Sequence, residues 1–289
     1  MHTDGEPGLE RAADALHSAI ANGRGGGKIA GSGLEVTASQ GAVDAGFKFG
    51  TNGPHSSRTM MLEDLSVLLE RTPPEVSLAD FRRVIVDENL LNKKTDSTRR
   101  ETLRRLRELY ALDAETMVFR VLRTYWPHDP AGRPLLALLV ALARDPLLRI
   151  SAAVIFNSRP GSEVPVSLFD DALSRAMPGH FGPKIQAATA RHIASSWEQS
   201  GHLAGRLSKT RSAVRPTPWA VALALFLAYL TGERGEYLMS SQWLLVIDVR
   251  PGDAGEHISA AHRLGLLNFF RSGSVVQITF PAFLKANGD

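Results

Sequence analysis

Apolar positions along this chain recur mostly at helical spacing, with strand-like alternation confined to two short stretches near the C-terminal end. After one plausible short helix over Glu10–Ala21, the pattern becomes firmly helical from Ser57. Helices are predicted over Met61–Glu70, over Leu78–Leu90 with Ser77 as cap after a Thr72-Pro-Pro74 break, and over Ala114–Trp126 up to Pro127. Pro134–Arg144 and Leu147–Phe156 are apolar on nearly every side, which places them at the centre of the molecule. Short Ser167–Met177 and longer Pro183–Gln199 helices follow, the second with a favoured first-turn proline and with Gly201 to close it.

The two alternating stretches each follow helices. Leu203, Gly205 and Leu207 lead to a polar tip at Ser208–Arg211 and a return over Ala213–Arg215. Helix, turn, helix and hairpin in that order describe a winged helix, in which the second helix enters a DNA groove and the hairpin touches phosphates. Trp219–Leu230, Ser240–Ile247 and a helix opened by Asp253 and Glu256 repeat the layout. They end in a hairpin over Leu267–Phe270 and Val276–Phe280 around Ser272-Gly273. This last unit carries too few cations for phosphate and reads as structural or protein-binding.

Between Asp87 and Tyr110 a turn feeds a basic helix, predicted to start at a Thr98/Glu101 capping box. Leu103, Leu106, Leu109 and Tyr110 form its packing face, leaving Arg99, Arg100, Arg104, Arg105 and Arg107 outward. Asp96 and Glu101 are too few to neutralise these arginines together with Lys93 and Lys94, so a polyanionic partner is expected. A solvated helix face is the alternative. With Helix Leu78–Leu90 and its predecessor, this helix makes a helix-turn-helix arrangement possible.

Composition narrows these readings. The 289 residues, 44% hydrophobic and 22% charged, suffice for two compact units, and a net charge of +3 means that any basic surface is local. Cysteine is absent, which excludes disulfides and thiolate metal sites, and no charged-then-apolar leader opens the chain, so a cytoplasmic protein without membrane association is expected. Residues 1–57 are expected to be a mobile extension, 58–150 an N-terminal helical domain, and 151–289 a C-terminal domain of two winged units, about 151–216 and 217–284. Gly23–Lys28 departs from a phosphate loop in spacing, in the element before it and in Ile29 after it. No Gly-x-Ser-x-Gly elbow or His-Glu-x-x-His pair is present, and His180, His192 and His202 are spaced too loosely to share a metal on one helical face. No catalytic residue, metal or cofactor is predicted.

Five segments carry a resemblance to a known family: Asp87-Glu-Asn-Leu-Leu with the following Lys-Lys-Thr-Asp-Ser-Thr-Arg-Arg turn; Val118-Phe-Arg-Val-Leu-Arg; Ala143-Arg-Asp-Pro-Leu-Leu-Arg149; Ser195-Ser-Trp-Glu-Gln-Ser-Gly-His-Leu203; and Thr231-Gly-Glu-Arg-Gly235 before Ser240-Ser-Gln-Trp243. From about Ser57 to Phe283 the chain resembles the BrxA family, accessory proteins of the BREX bacteriophage-exclusion systems. None of these segments is a catalytic motif. The resemblance implies a mainly helical fold with winged-helix character, non-enzymatic binding of double-stranded DNA, and partners among a methyltransferase, an ATPase and an alkaline-phosphatase-like protein.

The leading expectation is a mainly α, DNA-binding accessory protein of a phage-defence system. Its predicted phosphate contacts are Lys93, Lys94, Arg99, Arg100, Arg104 and Arg107 on the basic helix, and Lys184, Arg191, Arg206, Lys209, Arg211 and Arg215 on the first winged unit. Few Asn or Gln side chains accompany these cations, so base reading is not expected. The rival is an adaptor whose basic patches meet acidic protein surfaces. RNA ranks third for want of an aromatic, exposed sheet.

Overall fold

Helix-forming periodicity survives in three dimensions as twelve α-helices and two small antiparallel hairpins among the described residues. The computed structural model describes residues 33–205, 208–273 and 275–284; the expected Glu10–Ala21 helix and the Gly23–Lys28 run lie outside them. The helices are α1 (Gln40–Asp44), α2 (Leu62–Arg71), α3 (Leu78–Arg82, continued by a wider π turn over Arg83–Asp87), α4 (Asp96–Tyr110), α5 (Met117–Tyr125), α6 (Arg133–Arg144) and α7 (Pro146–Phe156). Next come α8 (Ser167–Ala176), α9 (Pro183–Gln199), the hairpin β1 (Leu203–Ala204) and β2 (Thr210–Arg211), α10 (Pro218–Leu230), α11 (Gln242–Val246), α12 (Ala254–Arg263), and the hairpin β3 (Asn268–Ser272) and β4 (Val275–Thr279). No described helix is long and apolar enough to cross a membrane.

Helices α6 and α10 form the centre because they are apolar all round and must be covered on every side. Leu135 to Arg144 and Ala220 to Ala228 are buried without interruption. Helix α6 packs on α4, α5, α7 and α10, and α10 on α11 and α12. One hydrophobic cluster runs from Leu34 to Phe280, and the expected boundary between residues 150 and 151 falls inside α7.

The first departure concerns residues 33–57, which pack against the helices rather than standing apart as an extension. Leu34, Ala42, Ala45 and Phe47 are buried in the common core, and the Phe47 ring meets Trp243 edge-on at 5.9 Å. Backbone bonds stitch the segment down: Leu34 N–H to the Arg149 carbonyl, Lys48 N–H to that of Ala143, and Val118 N–H to that of Ala45. Gly33 and Gly53 permit this approach, since a Cβ at Gly53 would lie 1.9 Å from an Asp145 carboxylate oxygen.

Two caps also differ from expectation. Helix α4 starts one turn earlier than predicted, with Thr95 as N-cap accepting from the Thr98 amide at 3.1 Å, because Glu101 is held by arginines instead. Asp253 precedes α12 in helical conformation and makes no side-chain cap bond. By contrast, Ser77 and Asp80 form a reciprocal capping box, and Asn89 and Asn92 take the left-handed conformation that turns the chain between α3 and α4.

Helix C-termini inside the core are closed by buried arginines, which suit the negative end of the helix dipole. Arg123 donates to the Leu69 and Thr72 carbonyls at the end of α2. Arg144 donates to the Arg107 and Glu108 carbonyls near the end of α4, and Arg149 to those of Leu142 and Ala143 near the end of α6. The same guanidinium groups reach the carbonyls of Gly46 and Lys48, so they also clasp the N-terminal segment.

Candidate nucleic-acid interface

Helix α4 is less cationic than its sequence suggests. Thr102, Leu106, Leu109 and Tyr110 bury one face, as the spacing requires. On the other, Arg100 pairs with Asp96 at 2.6 Å, and Arg104 with Glu101 at 2.7 Å and Glu108 at 3.4 Å. Arg105 shares the same two carboxylates. Hydrogen bonds from Arg104, then Arg105, bring the Glu101 carboxyl down to about 2 against its partial burial. Arg99 donates to the Val86 carbonyl at 3.0 Å, and Lys93 is held by Asp64 at 2.7 Å. The expected shortage of carboxylates is therefore corrected by Glu108 and Asp64. Lys94 and Arg107 remain exposed and have no ion pair among the described residues.

The hairpin after α9 is corrected more strongly. Its strands pair Leu203 with Arg211 and Ala204 with Thr210, so the return strand lies earlier than the predicted Ala213–Arg215. That register turns Arg211 inward: its side chain is 3% exposed and is bound to Asp248 and the Ser212 carbonyl. Lys209 pairs with Glu198 and is mostly covered. Neither is available to phosphate as placed. Arg206 lies outside the described residues, and Arg215 is exposed.

Helix α9 carries two exposed cations without a carboxylate partner among the described residues, where α4 itself keeps only Arg107. Pro183 at the first position and Gly201 after the end, with φ +85°, delimit it as predicted. Thr189, Ala190, Ile193, Ala194 and Trp197 are buried, and the Trp197 indole donates to Ser151 at 2.7 Å. Lys184 and Arg191, two turns apart, project from the exposed side with no carboxylate partner among the described residues. Ile185 is exposed beside Lys184.

Sequence spacing did not bring His55, Asp145 and Ser196 together, yet they form one buried chain. The His55 ring bonds to Asp145 at 2.7 Å through Nδ1 and to Ser196 at 2.7 Å through Nε2. All three residues are fully buried. The order is that of a nucleophile triad, but every group here is committed to structure. The Ser196 hydroxyl donates to the His192 carbonyl and accepts the Met60 amide, while Asp145 also caps α7 through the Leu147 and Leu148 amides. Burial works against the Asp145 carboxylate, and His55 together with these amides outweighs it, holding its pKa below the usual value. The result is a tie between the 53–60 segment, α7 and α9.

This tie sets Arg58, absent from the sequence-derived candidates, against α9. Arg58 is exposed, and among the described residues its guanidinium donates only to the neighbouring Ser57 carbonyl. It lines a groove of about 790 Å³ together with Lys93, Thr98, Thr102 and Gln199. Glu63 and Asp64 of α2 line the same groove, so the cations Arg58 and Lys93 meet an equal number of carboxylates there. Among the described residues no cluster of His, Asp or Glu has the makings of a metal site. No protein-family model and no curated protein matches this chain.

Proposed function

We propose that this chain is a DNA-binding accessory protein without enzymatic activity, acting in a bacterial phage-defence system of the BREX type. On this reading α8, α9 and the β1–β2 hairpin act as a winged helix, with α9 presented to the duplex. The observation that carries it is the unpaired cationic face of α9, where Lys184 and Arg191 stand exposed on the helix that such a unit places in the groove. The family resemblance of the five segments supports the same reading, and a methyltransferase, an ATPase and an alkaline-phosphatase-like protein are the proposed partners. Contacts are to phosphate, since α9 offers no exposed Asn or Gln fork beside its cations.

Binding of the full chain to a labelled duplex of arbitrary sequence, titrated at several salt concentrations, tests this. Affinity should fall steeply with salt, and K184A/R191A should flatten the log–log slope by roughly 2, about 0.9 per lost contact. No binding at low salt would overturn the reading. An adaptor role is the second reading, favoured by the apolar outer face of the last hairpin: Phe270 is 59% and Val275 62% exposed, and their cross-strand pairs place them on one side. In a pull-down with the partner proteins, F270S/V275S should release a partner that K184A/R191A retains; loss in neither variant argues against it.

A further inference from the structure

The 54–58 turn lies along α9 and is fixed there at several points. His55 bonds to Ser196, the His192 ring bonds through Nδ1 to the His55 carbonyl at 3.1 Å, and the amides of Met60 and Leu62 donate to Ser196 and Gln199. Arg58 is itself held on this turn, its amide donating to the Pro54 carbonyl at 3.0 Å. Its guanidinium therefore starts from a fixed backbone beside the helix that carries His192 and Arg191.

We propose that Arg58, His192 and Arg191 form one phosphate-binding cluster where this turn meets α9, so that a nucleic-acid backbone crossing α9 also touches the turn. Three observations carry it. Neither arginine has a carboxylate partner among the described residues, and the His192 Nε2 has no hydrogen-bond partner among them. The three groups also feel one another: burial first, and then the charges of His55, Arg58 and Arg191, hold the His192 pKa below its ordinary value against the bond to the His55 carbonyl. Finally, of the two carboxylates that line the groove with Arg58, Asp64 is committed to Lys93, and neither Glu63 nor Asp64 bonds to Arg58. Cations without a paired carboxylate repel one another, and a phosphate placed among them removes that repulsion and favours protonation of the His192 Nε2, which then donates to it.

The inference rests on the DNA-binding reading and is tested on the full chain with a labelled 20-base-pair duplex at several salt concentrations. R58A should weaken binding about three- to tenfold at low salt and make the log–log salt slope shallower by about 0.9, as R191A should. R250A, which removes an exposed cation outside the cluster, should change neither. If the wild-type chain binds and R58A matches it, or if R250A costs as much as R58A, the cluster is refuted while DNA binding stands. If the wild-type chain fails to bind at low salt, the DNA reading itself fails. A second readout follows the His192 ring protons by NMR: addition of the duplex should shift them in the wild-type chain, and an unmoved signal under saturating duplex would overturn the cluster.

Discussion

At the scale of single residues, the segments that carry the family resemblance do structural work. In Ala143–Arg149, Arg144 and Arg149 close helix ends, and Asp145 caps α7 and holds His55. Removing the Asp145 carboxylate leaves the His55 ring and amide and the Leu147 amide buried without their acceptor, so Asp145→Ala should cost about 3–5 kcal/mol, read from the denaturant midpoint. In Ser195–Leu203, His202 is fully buried between Ser200 and the Val246 carbonyl. Burial foremost, then the charge of Arg211, pushes its pKa down to about 4. Because the unfolded chain then binds the extra proton first, stability is full above about 6.5 and declines as pH falls toward 4, by about 3 kcal/mol in all. His202→Gln should flatten the unfolding profile across that window; an unchanged acid limb would show that another group controls it.

At the scale of elements, α4 and α9 exchange the importance that their sequences assign them. Composition favours α4, where seven Lys and Arg stand among three carboxylates over residues 93–108. Geometry favours α9, because spacings of three and four residues let Asp96, Glu101 and Glu108 pair with Arg100, Arg104 and Arg105. R100A/R104A/R107A should therefore weaken duplex binding less than K184A/R191A does, in the same salt titration. A larger effect of the α4 triple variant would return the interface to that helix. Helix positions, the α9 boundaries and the last hairpin were legible from periodicity and end signals. The inward turn of Arg211 was not, because a change of register in a two-residue hairpin leaves no mark on hydrophobic pattern.

At the scale of the whole molecule, the N-terminal segment from residue 33 is part of the core. Its Gly, Ser and Thr content resembles a linker, but its few apolar side chains are placed to fill the floor beside α6 and α11. Phe47→Ala should destabilise by about 3–5 kcal/mol through lost burial and a residual cavity. A chain beginning at residue 51 should melt well below the full chain, and equal melting temperatures would show that the segment contributes nothing. The same segment brings Arg58 to α9, so its packing bears on the proposed interface as well as on stability.

Sequence alone determined the helical class, most helix positions, the last hairpin and the stock of cations, because periodicity, caps and prolines act over a few neighbouring residues. Tertiary structure decided that Lys93, Lys209 and Arg211 are paired, since Asp64, Glu198 and Asp248 reach them from other elements. It also decided that residues 33–57 belong to the core and that His55, Asp145 and Ser196 meet. Those outcomes rest on contacts up to 207 residues apart, which no local pattern encodes.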